Sequence, residues 1–216
     1  VGVGVTEGRI YGGQTPADRA AARRARLLDA GLQVLGTPDL GPVTVRKVID
    51  ESGLAPRYFY DHFTDLDQLQ LAVFDQLITE AEHLAKLAMV TAAPRSRDRI
   101  RAVLEAMVDL MLDDPRKGRV LLMQPATSPV LGPRFHAEVQ RFADLLARYS
   151  PAAWRGADPH SRPVRVTAQF AIGGFTAALT AVLADGVPVD RRLLVDDLTV
   201  LFIGLGTAFH NLDHTR

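Results

Sequence analysis

The chain has 216 residues, 47% of them apolar, with 25 basic and 25 acidic side chains and no cysteine. That content supports a packed core and excludes a disordered chain, a disulfide framework and a thiolate metal site. A net charge of zero gives no bulk attraction to nucleic acid, so such a partner must be sought in local patches.

The opening residues VGVGVTEGRIYGGQ lack a basic start and a continuous apolar run, and do not read as a secretory signal. GVGVTE begins like a dinucleotide fingerprint, but Glu7 stands where the third glycine belongs. Residues 1–14 are expected to form an arm, either a mobile tail or a basic extension placing Arg9 in a minor groove.

Helical periodicity recurs from there on, and no sustained alternation marks a strand. At TPAD, Thr15 can cap, Pro16 suits the first helical position and Asp18 favours the positive end. Ala21, Ala25, Leu28, Leu32 and Leu35 then predict one buried stripe, with Arg19, Arg23 and Arg26 on another face. GTPDLGP breaks this helix. Thr44 caps a second, short helix with Val45, Val48 and Ile49 inward, and Gly53 closes it in the left-handed conformation. Pro56 opens a third that reaches about Phe63. Asp65 caps a fourth, with Gln68 at the capping-box position, running to about Leu87.

TAAPRSRD, residues 91–98, marks a boundary. Further helices are expected at about 100–112, 116–123, 132–149, 164–184 and 191–212. The chain is therefore expected to be all-α, with an arm (1–14), a small helical head (15–64) and a larger helical body (65–216). The charge-free stretch from Val166 to Ala184 is long enough to span a membrane. Its threonines, Gln169 and its many small residues favour burial between helices instead.

In the stretch GLAPRYFYDHF, residues 53–63, Phe59 and Phe63 are four apart and share the inward side of the third helix. Arg57, Tyr58 and Asp61 point outward, with Tyr60 and His62 on the shoulders. A cation and planar donors on an exposed helix suit phosphates and base edges in a major groove. Tyrosines packed by their rings, and a plain Arg57–Asp61 surface pair, would explain the same residues without DNA. The Thr44 cap, the Gly53 turn and the arginines of RAAARRAR upstream favour a helix-turn-helix.

Residues 43–77, VTVRKVIDESGLAPRYFYDHFTDLDQLQLAVFDQL, resemble the DNA-binding segment of the TetR family of bacterial transcriptional regulators. ADRAAARRARLLDAGLQVLG resembles the family's first helix. The resemblance covers about the first third of the chain; the rest matches in layout alone. It implies that Thr44 and Arg46 touch phosphates, that Tyr60 and His62 clamp the backbone, and that Arg57 and Tyr58 reach base edges. Pro56 would stiffen the entry and touch a thymine methyl. Departures are Ala55, where a serine cap is common, Asp61, where a basic residue is common, and Leu66, where a lysine is common. At Leu66 the backbone N–H and helix dipole would serve instead, giving a shallow salt dependence.

In the body, Gly173, Gly174, Ala177, Ala178 and Ala181 form one small-residue set. Gly204, Gly206 and Ala208 form another, beside Leu201, Phe202 and Leu205. Together they are expected to make a four-helix homodimer interface, as the resemblance also implies; an intramolecular core is the competing reading. A two-fold dimer suits a palindromic double-stranded operator. Candidate liners of a small-molecule effector pocket are Met107, Met111, Met123, Phe142, Trp154, Phe170 and Phe175, with Gln124, His136 and Gln169 for polarity. Plain core is the competing reading for each of them, since any helical domain needs such residues.

No catalytic motif is present, and no cofactor is expected. HNLDH spaces His210 and His214 one turn apart, a spacing that fits a frayed end as well as a metal. The expectation is a cytoplasmic, sequence-specific DNA-binding regulator, not an enzyme, with the repressor sign taken from the resemblance. The alternative is a helical ligand-binding or interaction module without DNA binding.

Overall fold

The computed structural model describes residues 15–38, 41–153, 158–185 and 189–213, with the side chains of 150–153 and 207–213 outside that set. The arm with Arg9, Trp154 and His214 therefore lie outside the described residues, as do the side chains of Ala208 and His210. Every regular element among the described residues is a helix and none is a strand, which is the expected all-α class. They divide into two compact units at Val73/Phe74, inside one long helix.

The first unit begins with α1, Pro16–Gly36. Thr15 Oγ1 accepts from the Asp18 N–H at 3.1 Å, and the Asp18 carboxylate accepts from the Thr15 N–H at 2.8 Å. Two donors left open by the helix start are thereby satisfied reciprocally. The buried side of α1 carries Leu27, Leu28, Ala30, Gly31, Val34 and Leu35. Ala21 and Ala25, expected in the stripe, are exposed. At 100° per residue they lie roughly 95° and 135° from the centre of that side, and an alanine methyl drives little burial of its own. Gly31 is required: a Cβ there would lie 2.9 Å from Val73 Cγ2 and 3.3 Å from Leu69 Cδ2.

Thr44 caps α2, Val45–Ser52, with its side chain accepting from the Lys47 N–H at 3.3 Å. Gly53, at φ 61°, ends the helix and donates to the Ile49 and Asp50 carbonyls. The third helix α3, Pro56–Tyr60, is shorter than expected. A turn carries the chain on, with the Phe63 N–H donating to the Phe59 carbonyl at 2.8 Å. Phe59 and Phe63 are buried and their ring centroids are 5.7 Å apart. The fourth helix, α4, runs Leu66–Thr91. Asp65 Oδ1 accepts from the Gln68 N–H at 2.8 Å, but Gln68 reaches back to the Thr64 N–H, one residue earlier than a capping box would place it.

The second unit contains the rest of α4, then α5 (Ser96–Leu112), α6 (Pro115–Gly118), α7 (Leu131–Ala153), α8 (Arg162–Asp185) and α9 (Arg191–Asp213). The expected single helix over 116–123 is instead α6 followed by a wide i→i+5 turn, residues 119–123, and a short 3-10 turn, 124–126. Gly118 sits where a Cβ would come within 2.6 Å of the Met111 carbonyl and 2.7 Å of Leu183 Cδ1, so α6 packs at backbone distance. Pro125, which has no N–H to give, closes the irregular stretch. Ion pairs tie α5 to α9, Arg101 to Asp196 and Arg191 to Asp113.

Among the described residues α8 is the one helix long and apolar enough to cross a membrane. Its inner side, Val164, Thr167, Ala168, Ala171, Phe175, Leu179 and Leu183, is buried, and it packs against α7 and α9. A helix of this kind, apolar on both sides, serves in a bundle as readily as in a bilayer.

Candidate nucleic-acid interface, dimer face and ligand cavity

Burial of Phe59 and Phe63 fixes which way α3 presents its other side chains. Pro56, Arg57 and Tyr60 are exposed, Tyr60 to 63%, and Tyr58 and His62 are half-buried. Tyr60 also packs edge-on against Phe59, at 5.3 Å between centroids, leaving its hydroxyl end outward. At the start of α2, Thr44 and Arg46 are exposed; Arg46 makes only a loose pair with Asp50, at 3.8 Å. Leu66, at the first position of α4, is half-buried. Within the set, the Nε2 of His62 is buried without a hydrogen-bond partner.

The arginines of α1 have a use that periodicity did not predict. Arg23 places its guanidinium carbon 4.7 Å from the Tyr58 ring centroid, and Arg24 lies 5.1 Å from that of Phe63. Arg26 donates to the Ser52 carbonyl at 2.7 Å, at the C-terminal end of α2. Cations over ring faces and at a helix C-terminus are both favourable placements. Arg57 donates to the Tyr58 hydroxyl at 2.8 Å, and this bond, with the phenol's charge, raises the already high guanidinium pKa. Arg57 thus pairs with its neighbour, and no ion pair to Asp61 forms.

On α8, Val166, Phe170, Gly174, Ala177 and Ala181 are exposed and fall within an arc of roughly 80°. Leu193, Val200, Leu201 and Gly204 are exposed on α9, and Asp197 is exposed within the same arc. Added Cβ atoms at Gly173, Gly174 and Gly204 would meet nothing within 4 Å. Gly173, Ala178 and Leu205 border this face half-buried.

Inside the second unit is a cavity of about 390 Å³. Its deep wall is apolar and buried, from Phe74, Leu104, Met111, Leu121, Leu122 and Phe175. Its lining also includes exposed Pro94, Ser96, Arg99 and Tyr149, so it reaches the surface there. Of the expected pocket residues, Met107, Met111, Phe142 and Phe175 line it. Met123, Gln124, His136, Gln169 and Phe170 do not; Phe170 is 68% exposed, on the face described above. Phe202, expected at the interface, lines the cavity and meets Phe175 edge-on at 6.4 Å.

Glu138 is the one acid in the cavity wall, and it is 5% exposed. Burial tends to raise its carboxyl pKa, but hydrogen bonds from Arg141 and Arg134 outweigh that and hold it below the usual value. Arg141 Nε donates to Oε2 at 2.7 Å, and Arg134 Nη1 donates to Oε1. Arg134 also pairs with Asp75, and Arg141 with Glu82, joining α7 to α4. No group of three potential metal ligands occurs among the described residues.

No family model matches the chain. Among solved structures, it is similar to the fatty acid degradation regulator FadR from Bacillus halodurans, with 16% identity, 84% of this chain and 95% of that one covered, and a TM-score of 0.73. FadR from Bacillus subtilis in complex with stearoyl-CoA matches at 16% identity over 83% and 97%, TM-score 0.67. A TetR-family regulator from Streptomyces coelicolor matches at 20% over 88% and 96%, TM-score 0.69. The chain therefore has the all-α fold of the TetR-family transcriptional regulators.

Proposed function

We propose that the protein is a homodimeric, cytoplasmic, sequence-specific DNA-binding regulator, a repressor released when a small molecule binds in its second unit. The observation that carries this reading is the outward face of α3, held by two buried phenylalanine rings and bearing Arg57 and Tyr60 toward solvent. Thr44 and Arg46 supply phosphate donors at the start of α2, Leu66 a backbone N–H at the start of α4, and Arg57 with Tyr58 the base contacts. His62 would join them by turning its ring outward. Pro56 lies at the helix entry, positioned to touch a thymine methyl.

The α8–α9 face, with its small residues and exposed Phe170 and Leu201, is the surface for the second copy. Regulators of this fold surround the chain in structure, which supports a non-enzymatic role. Stearoyl-CoA in the Bacillus subtilis neighbour supports a small-molecule effector here. To act, the ligand must bind the DNA-incompetent state better than the competent one.

The test is selection of binding sites from a random duplex library by the purified protein, followed by anisotropy titration. A recovered palindrome, bound more weakly by Arg57→Ala and Tyr60→Phe, supports the reading. Failure to enrich any sequence would leave a helical ligand-binding module that does not touch DNA.

A further inference from the structure

The cavity is polarised along its length, and the polarity selects its occupant. The deep end offers carbon and thioether surface from buried Phe74, Leu104, Met111, Leu121 and Phe175, and the one hydroxyl beside them in the lining, Thr176, donates its proton to the Gly173 carbonyl. A polar ligand placed there would lose its water without a hydrogen-bonding partner. At the other end lie exposed Ser96 and Arg99. Arg99 is a lining cation with no ion pair among the described residues. The remaining charge in the wall, Glu138, has both carboxylate oxygens taken by Arg134 and Arg141 and cannot anchor an organic cation without giving these up.

We propose that the cavity takes a linear amphiphile tail first, with its hydrocarbon chain in the deep end and an anionic head group at Arg99. The proposal deepens the effector reading above and rests on this cavity being the effector site. A head carrying negative charge gains a charge-assisted hydrogen bond at Arg99 while remaining solvated at the surface. A chain threaded inward replaces empty volume with apolar contact, so affinity should rise about fourfold for each methylene until the cavity is full. The same head chemistry could come from a free carboxylate or from a phosphorylated thioester carrier.

The experiment is direct calorimetric titration of the full chain, without DNA, at ligand concentrations below micelle formation. Probes are saturated fatty acids of eight to eighteen carbons, palmitoyl-CoA and hexadecyltrimethylammonium. Saturable binding of the acids, of palmitoyl-CoA or of both, with no uptake of the ammonium probe, is the expected result, and which of the two binds identifies the head. Affinity should climb with chain length and then level off. Arg99→Gln, at an exposed position, should weaken binding about tenfold without changing the chain-length slope. Met107→Trp should shorten the preferred chain, with circular dichroism confirming the fold and Ile78→Phe as a second filling variant. Absence of binding by either anionic class, preference for the ammonium probe, or binding indifferent to both filling variants would overturn the proposal. Operator binding, measured separately, would be untouched by that failure.

Discussion

The guanidinium carbon of Arg23 lies 4.7 Å from the ring centroid of Tyr58, so the first helix braces a residue of the proposed reading surface rather than merely lending it charge. On a helical wheel Arg23 falls on the buried side of α1, flanking Leu27 and Val34, and its Nε is buried. Removing the guanidinium therefore leaves the Tyr58 ring held by Arg57 alone, its neighbour in sequence. Arg23→Ala should cost about 0.5–1 kcal/mol in the melt of the head and weaken operator binding. Arg23→Lys should fall between, because an ammonium keeps the charge but loses the planar stack. Unchanged operator affinity in Arg23→Ala would show that the brace has no bearing on DNA.

Arg57 and Tyr60 should fail differently when replaced. Arg57→Ala should cost about 1–3 kcal/mol on the best site and relax preference at one base pair. Tyr60→Phe removes only a hydroxyl and should weaken all sequences about equally, by roughly 1 kcal/mol. Anisotropy titrations on matched and single-mismatch duplexes separate the two patterns. In the same assay the salt slope should be shallow, since Leu66 brings no cation to the start of α4.

These residues were legible in the sequence because their signals are local. The Thr44 cap, the Gly53 closure and the Pro56 start each act within a few residues, and each stands where it was expected. The two phenylalanine anchors share a helical face by spacing alone. Which way the long body helices face is another matter. The apolar residues of α8 run right around it, so spacing cannot say that Phe175 turns into the cavity and Phe170 toward solvent. The wide turn at 119–123 was hidden for a related reason. It follows the backbone-distance packing of Gly118 on α5 and α8, and no short-range pattern encodes that contact.

Glycine at 31 is a packing requirement that can be tested without DNA. A Cβ would lie 2.9 Å from Val73 Cγ2, closer than side chains approach, and both neighbours, Leu69 and Val73, are buried. Gly31→Ala should destabilise the head by about 1–3 kcal/mol through overpacking, despite alanine's better helix propensity. Gly174→Ala, where the added methyl meets open space, is the control and should leave the melting temperature of the isolated subunit unchanged or slightly higher. Equal effects at the two sites would contradict the close contact.

The α8–α9 face predicts an assembly-specific defect. Ala177 is exposed in the middle of the apolar arc, so Ala177→Arg should leave the subunit folded while placing two desolvated cations in a symmetric interface. Analytical ultracentrifugation should report monomer with unchanged helicity. Operator affinity should drop at least about tenfold, because each half-site would then be bound singly. A dimer that survives this change would move the interface elsewhere.

The Glu138 cluster should make stability depend on pH with a definite sign. Its carboxyl is held below the ordinary value in the folded chain, the bonds from Arg141 and Arg134 outweighing burial. A depressed folded pKa means the unfolded chain binds the proton more readily, so the contribution is complete above the unfolded value of about 4.3 and fades as pH falls through the lower folded one. Glu138→Gln removes the anion; Arg134 keeps Asp75 and Arg141 keeps Glu82 as partners. The loss at pH 7 should therefore stay near 1–2 kcal/mol. Asp109 pulls the other way: burial, Asp113 and Glu105 raise its pKa, so its effect on stability improves on acidification. For that reason the quantity to measure is the difference between wild type and Glu138→Gln in urea, at steps from pH 7 to pH 3. The gap should narrow toward acid, because protonation strips the wild-type cluster of the charge that the glutamine variant never had.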